Sequence, residues 1–191
     1  MTRELVWTGF ISLDGIVDSP GGTAEGHPSG GWVFRTPFDA GSFSLKGEEL
    51  QETTALMFGR RSYEAFASVW PKSDDHAEYR ELPKYVVSTT VADDALVDQW
   101  GDQHILRSVA DVAALKETAG GAIFVHGSAE LARGLADAGL VDRYNLLVFP
   151  VLLGEGKSVF PRRGQAEQRL ALRESAAYPN GVLKAVYDVV R

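Results

Sequence analysis

No cysteine occurs anywhere in the chain, which removes disulfides, thiolate metal sites and cysteine nucleophiles together. Histidine is scarce as well: the four present are scattered without metal-ligand spacing, so each reads as structural or solvated and no metal is expected. Positive charge is in deficit, with 19 Lys and Arg against 26 Asp and Glu and a formal net charge of −7. Such a chain has no general basic field, so neither nucleic acid nor an anionic membrane surface is an expected partner. An anionic ligand would need a local cluster of donors instead. No apolar run approaches the length of a membrane span, and the opening MTRELVWTGF lacks the apolar core of a signal peptide, so a cytoplasmic address is the expectation. Internal repeats and low-complexity tracts are missing too. What remains is an ordinary globular composition, 45% hydrophobic and 24% charged over 191 residues, enough for one domain spanning 1–191.

The most informative stretch runs from Ile123 to Phe160. Ala122 to Val125 is an apolar run long enough for a buried strand and too short for a helix. Gly127 and Ser128 follow, then Leu131, Leu135 and Ala138 at helical spacing, with Ser128 placed as an N-cap and Glu130 in the first turn. The helix stops near Gly139, and Tyr144 to Val151 reads as another buried strand. This is a βαβ unit whose turn leaves backbone N–H groups free at a helix N-terminus, a site suited to phosphate; Gly127 could equally serve only to make a tight turn.

Upstream, Glu4 to Ser12 is apolar on both faces, as a central strand covered on both sides requires, and Gly9 within it marks a place of close approach by a ligand or another backbone. Asp14-Gly15 is a turn. Residues 19–37 are dense in glycine and proline yet carry Trp32, Val33 and Phe34; they read as a loop folded over a pocket, or as a mobile surface loop with a hydrophobic anchor. Phe38 to Thr54 is predicted helical, Ala55 to Phe58 a strand. At GRRSYEAF (59–66) a strand again meets a glycine and a helix start. Arg60 and Arg61 oppose the helix dipole there, so a bound anion would explain them, although two solvated arginines would also satisfy the sequence. Val69 to Leu82 is read as a polar surface connection and Lys84 to Thr90 as a strand ending in hydroxyls. His104 to Leu106 is a short strand, and Ser108 with Asp111 forms a capping box for a helix over 108–118. Gly154 to Lys157 misses the P-loop spacing. Two final strands, 169–178 and 182–190, flank the hairpin turn Pro179-Asn180-Gly181. Alternating βα units followed by an antiparallel hairpin imply an α/β fold, a largely parallel sheet extended antiparallel at one edge.

Three strand ends therefore carry anion- or hydroxyl-friendly turns: 59–62, Ser88-Thr89 and Gly127-Ser128. In open parallel sheets ligands bind at the carboxyl ends of strands, and this set suits a ligand with several phosphates, such as a dinucleotide; the GxGxxG fingerprint of a standard Rossmann domain is absent.

In this order and spacing SLDG (12–15), GRRSYEAF with Trp70-Pro71, KYVVST, HGSAEL, GLVD and PVLLGEGKSVF resemble the dihydrofolate reductase-like superfamily over nearly the whole chain. They are most similar to stand-alone relatives of the reductase domain of bifunctional riboflavin-biosynthesis deaminase-reductases. The resemblance implies a three-layer sandwich with a mixed sheet of about eight strands and NADPH laid across the strand ends. Carried over, Gly59, Arg60, Arg61 and Ser62 would hold the adenosine 2′-phosphate and its neighbours, Ser88 and Thr89 would flank the adenine, and Gly127, Ser128, Ala129 and Leu131 would receive the pyrophosphate. Backbone at Phe10 and near Val17 would bind the nicotinamide carboxamide. Many relatives have Gly-Gly where this chain has Gly127-Ser128, joined in dihydrofolate reductases by a cis peptide.

The chemistry implied is hydride transfer to a small heterocyclic or carbonyl substrate, the pathway's phosphoribosylamino-pyrimidine being the best-known choice. A proton source would come from the helix after the first loop, which offers Asp39, Glu48 and Glu49, or from Asp14, which serves equally well as a turn former. Trp32 and Phe34 would wall the substrate pocket. The alternative is a protein of the same fold that binds a nucleotide or other small ligand without turning it over. Pairing into a homodimer through the C-terminal hairpin is also implied.

Overall fold

The structure, a computed structural model, describes residues 2–23, 25–160 and 167–191. Its centre is an eight-stranded sheet of order β4-β3-β2-β5-β1-β6-β8-β7. The strands are β1 (Leu5–Ser12), β2 (Thr53–Gly59), β3 (Lys84–Val87), β4 (Gln103–Leu106), β5 (Ala122–His126), β6 (Arg143–Phe149), β7 (Arg169–Ala177) and β8 (Leu183–Val190). From β4 through β6 all neighbours are parallel; β8 runs antiparallel to β6, and β7 pairs with β8 at the outer edge. The helices are α1 (Ser44–Glu52), α2 (Arg60–Ala67), α3 (Val109–Lys116) and α4 (Ala129–Asp137).

Strand alternation sorts the core into two layers. On one face Leu5, Trp7, Met57, Ile123 and Val125 meet Val112 of α3 and Ala132 and Leu135 of α4. On the other Val6, Leu56, Phe58 and Phe124 meet Tyr63 of α2 together with Trp70, Tyr79 and Trp100. The predicted double covering of β1 is thus met, and the parallel strands β2, β3, β4 and β5, all but β3 followed by a helix, bring their carboxyl ends to one end of the sheet.

Two sequence expectations need correction. The helix expected over 38–54 is confined to Ser44–Glu52, preceded by a 3-10 turn at Gly41–Phe43. Asp39 accepts the Ser42 amide and makes a local turn before it, while the β-branched pair Thr53-Thr54 joins β2. The supposed polar surface connection 69–82 instead buries Trp70 and Tyr79, whose rings stack 5.2 Å apart over the sheet. Two aromatics separated by a polar run of 3-10 turns carry no periodicity from which burial could be read.

Lys84, at the start of β3, is 0% exposed. It donates to the carbonyls of Tyr79 and Arg80 (2.7 and 2.6 Å), closing the 3-10 turn that delivers Tyr79, and lies 5.0 Å from the centre of the Trp100 ring. Burial pushes its ammonium down to about 8, against an ordinary 10.5. Between those values the unfolded chain holds a proton that the folded chain has released, so stability should rise as pH climbs. Lys84→Met should flatten that rise between about pH 8 and about pH 10, read by urea denaturation of both proteins across the window.

Candidate functional site

At the common end of the parallel strands lies a cleft of about 430 Å³. The β2 tip supplies Gly59 and the first turn of α2, with Arg60, Arg61 and Ser62. The β3 tip supplies Ser88 and Thr89, and the β5 tip Ser128, Ala129 and Leu131 from the start of α4. Val17 closes the far side, its amide bonded to the Lys157 carbonyl at 2.9 Å. Ten of the residues the sequence pointed to, from four separate segments, thus share one depression, which Phe10 and Gly127 do not line.

The amides of Ala129, Glu130 and Leu131 head α4 without a hydrogen-bond partner among the described residues. Unsatisfied first-turn amides with the positive end of a helix dipole favour an anion. Arg60 pairs with Glu64 at 3.3 Å on the surface, whereas Arg61 has no ion pair among the described residues and faces the cleft. Gly127 and Ser128 turn the chain from β5 into α4 through two successive left-handed conformations, φ 58° and 57°, and the peptide between them is trans.

Some cleft residues escaped the sequence reading. Arg107 and Ser108 line it from the β4 tip; Arg107 donates to the carbonyls of Ser88 (3.2 Å) and Val91 (2.5 Å) and to Asp93 (3.0 Å). The rule that found the other tips, a short strand followed by a capping serine, was present at HILRS but was used only to start a helix. Lys157, paired with Asp18 at 2.8 Å, and Glu25 complete the rim. Glu25 accepts the Ser19 amide, so the 19–37 loop does flank the cleft, through its acidic part rather than its aromatic one.

Other expected positions fall elsewhere. Trp32 is fully buried in the core under β6, its indole donating to the Asp18 carbonyl at 2.8 Å and its ring edge-on to Phe149; it anchors the loop and does not wall the cleft. Phe34 is 76% exposed and outside the cleft. Phe10 packs edge-on against Phe43 and Phe149 on the α1 side. The space opposite Gly9 is filled by the indole of Trp7, which would stand 2.7 Å from an added Cβ, so neither a ligand nor another backbone explains that glycine. Trp7 in turn donates to the Gly127 carbonyl at 2.6 Å, which places that carbonyl inward.

Asp14 does not line the cleft. It accepts the Ser12 hydroxyl (2.6 Å) and the amides of Gly154 (2.7 Å) and Leu153 (3.0 Å), clamping the 12–15 turn to a second loop. The Ser12 bond and these amides outweigh the small effect of burial and hold its carboxyl below the usual range, the opposite of what a proton donor needs. The turn-forming reading is the one its surroundings favour.

A second polar cluster lies on the α1 side, one residue before the Gly127-Ser128 turn. Leu45 and Glu49 are the buried residues of α1, four apart on one face, and Glu49 is only 1% exposed. Its carboxylate accepts the Thr8 hydroxyl (2.6 Å), the Asn145 amide (2.8 Å) and the Lys46 ammonium (3.0 Å), and Lys46 also donates to Thr8. Burial pushes this carboxyl up, but Lys46, Thr8, His126 and Asn145 together outweigh it, so the group stays ionised below its ordinary value. Of the four carboxylates on this stretch, Asp39 holds a local turn, Glu48 pairs with Lys184 and Glu52 with Arg143, leaving Glu49 aimed at the sheet. Beside it β1 loses a neighbour: pairing with β5 ends at Thr8–His126, while pairing with β6 continues to Ser12. From Gly9 to Ile11 that edge of β1 has no strand neighbour, until at Ser12 the amide donates to the Ile16 carbonyl and the carbonyl accepts the Gly15 amide.

A mixed sheet of this order with a ligand-sized cleft across its strand tips has the dihydrofolate reductase-like fold. The RibD C-terminal domain profile matches residues 3–184, and the chain belongs to that family. The uncharacterized protein YyaP of Bacillus subtilis (strain 168) is 27% identical over 194 residues, covering 97% of this chain and 94% of YyaP. Among solved structures, a putative riboflavin biosynthesis protein from Shewanella sp. PV-4 superposes with a TM-score of 0.71 at 18% identity over the whole of both chains. A pyrimidine reductase-like protein from Corynebacterium diphtheriae gives 0.58 at 16% identity, over 99% of this chain and 92% of the other. Dihydrofolate reductase from Enterococcus faecalis, complexed with NADP(H), gives 0.61 at 13% identity over the whole of both.

Glu49 makes an acid-side prediction. Its folded value lies below the ordinary 4.5, so its contribution is present above that pH and lost as pH falls through the lower folded value. Glu49→Gln should cost about 2 kcal/mol at neutral pH, short of the about 3–5 kcal/mol typical when a fully buried pair is broken, because Lys46 reaches solvent. It should also remove part of the acid-side slope, both read from denaturation midpoints over a pH series.

Proposed function

We propose that the chain is an NADPH-dependent reductase that passes a hydride to a small heterocyclic or carbonyl compound. The observation that carries this is the convergence of unpartnered α4 amides and the Arg61 guanidinium in one cleft across four strand tips. The donor set fits a dinucleotide: amides for a pyrophosphate, guanidinium groups from Arg60 and Arg61 for a 2′-phosphate, and the Ser88-Thr89 tip beside the adenine. The open edge of β1 beyond Thr8, with backbone at Phe10 and Val17, is suited to a carboxamide.

When bound, the cofactor supplies the hydride; everything else falls to this chain's residues. The α1 cluster sits on the other side of β1 from α4 and is the natural seat of the acceptor. Glu49, buried and ionised with its oxygens taken by Thr8, Asn145 and Lys46, holds the partly exposed Lys46 ammonium in place, and that ammonium is the group set to meet the acceptor and carry the proton the reduction consumes. Membership of the RibD C-terminal family and the pyrimidine reductase-like neighbour favour a substrate resembling 5-amino-6-(5-phosphoribosylamino)uracil. The chain also pairs with a second copy, in this reading, through β7, whose outer edge is unpaired and whose Leu170 and Leu172 are exposed.

NADPH should bind with a rise in nucleotide fluorescence, and candidate pyrimidines should then drive its oxidation; tight binding without turnover on any of them would favour the ligand-binding alternative. Arg60→Ala and Arg61→Ala should each weaken NADPH about tenfold or more while leaving NADH nearly unchanged, and equal losses for the two nucleotides would remove the 2′-phosphate assignment. Sedimentation equilibrium should report a dimer that Leu172→Glu converts to monomer.

A further inference from the structure

The two helix starts at the cleft are reciprocal. Gly59, closing β2, donates its amide to the Ser128 hydroxyl at 2.8 Å, and Ser128 donates its own amide to the Ser62 hydroxyl on α2 at 3.0 Å. The Ser128 hydroxyl goes on to donate to the His126 carbonyl at 3.2 Å. A Cβ on Gly59 would stand 3.5 Å from the Ser128 Oγ, and one on Gly127 would stand 3.3 Å from the Ser62 Oγ. Each start thus presents a glycine to the serine of the other.

Ser128 is held at φ 57°, where a residue with a side chain is strained by roughly 1–2 kcal/mol. Capping does not explain its presence, because its side chain makes no cap bond to α4. The cross-bond does: it gives the part-buried Gly59 amide an acceptor, and leaving such a group unpaired costs up to about 1–3 kcal/mol, enough to offset the strain. The amides of Gly59 and Ser128 are consequently spent inside the protein, while those of Ala129, Glu130 and Leu131 remain open to the cleft.

We propose that Ser62 and Ser128 are positioning residues: their hydroxyls cross between the two helix starts and fix them against each other, so that the free α4 amides and the Arg61 guanidinium meet one polyphosphate together. This departs from the residue-by-residue expectation that Ser62 holds the 2′-phosphate and its neighbours, and Ser128 the pyrophosphate, by direct contact. It rests on the cofactor reading for its ligand, but not for its bonds.

Amide hydrogen exchange on the ligand-free protein reads the bonds alone. Ser128→Ala should accelerate exchange at Gly59 about tenfold, and Ser62→Ala should do the same at Ser128. NADPH titration by nucleotide fluorescence reads their consequence: each alanine variant should bind about tenfold more weakly, the double variant no worse than the weaker single one, and Ser62→Thr, which keeps the hydroxyl, close to wild type. Losses that multiply in the double variant would mean that each serine meets the ligand separately and would overturn the proposal. So would Ser128→Gly binding as well as wild type, since it relieves the strain but supplies no acceptor for Gly59. These two substitutions, Ser62→Thr and Ser128→Gly, keep the test readable should an alanine variant not fold. Unchanged exchange in both alanine variants sinks the cross-bond itself. Wild-type protein that ignores NADPH, with exchange behaving as expected, sinks the reductase reading and the ligand while the cross-bond stands.

Discussion

Parallel strand pairing is the constraint on which the molecule depends. Because β2, β3, β4 and β5 run the same way and stop within a residue or so of one another in register, as at Gly59–Val87 and Val87–Leu106, their following turns all open at one end. A parallel ladder requires a return crossover for each strand, so three of these tips feed a helix and that of β3 a long connection. Helix starts and backbone amides collect there without any basic surface elsewhere, which is how a chain of net charge −7 presents an anion-friendly depression.

The same sheet separates two chemistries. One side of the tips is built from amides, hydroxyls and guanidinium; the other, under α1, gathers a carboxylate, an ammonium, a histidine and an amide within the core. Isolated charges could not be buried in this way, and none of these is isolated: Glu49 has three donors, Lys84 two carbonyls and an indole face, and Lys184 two carboxylates. The short stretch of β1 past Thr8 that has no β5 neighbour lies between the two regions.

Much of the architecture was legible because strands covered on both faces announce themselves as short apolar runs, and because glycine, serine and a helical stripe recur after β2 and β5. The Ser108–Asp111 capping box is present as read, with Asp111 also accepting the Ser108 amide. The hairpin about Pro179-Asn180-Gly181 closes as read too, with Gly181 at φ 86°. What the sequence hid were facts of the third dimension. Nothing in SLKGEELQE says which of two adjacent glutamates turns inward; that is fixed by Leu45, one turn earlier, seating itself in the core. Trp32 looked like a pocket wall because an aromatic in a glycine-rich loop has two uses, covering a ligand or nailing the loop down, and the second applies. Asp14 looked chemical for want of sight of Leu153 and Gly154, more than a hundred residues away, whose amides it accepts.

The bond from Trp7 to the Gly127 carbonyl has a spectroscopic side. An indole wedged over Gly9 and fastened to the turn that opens α4 couples an intrinsic chromophore directly to the part of the backbone any phosphate would touch. The other tryptophans are buried too, with Trp32 held by the Asp18 carbonyl beneath β6 and Trp70 and Trp100 packed in the opposite layer, so their emission answers to different surroundings. The molecule carries, in its first strand, a native optical gauge of the turn that opens α4.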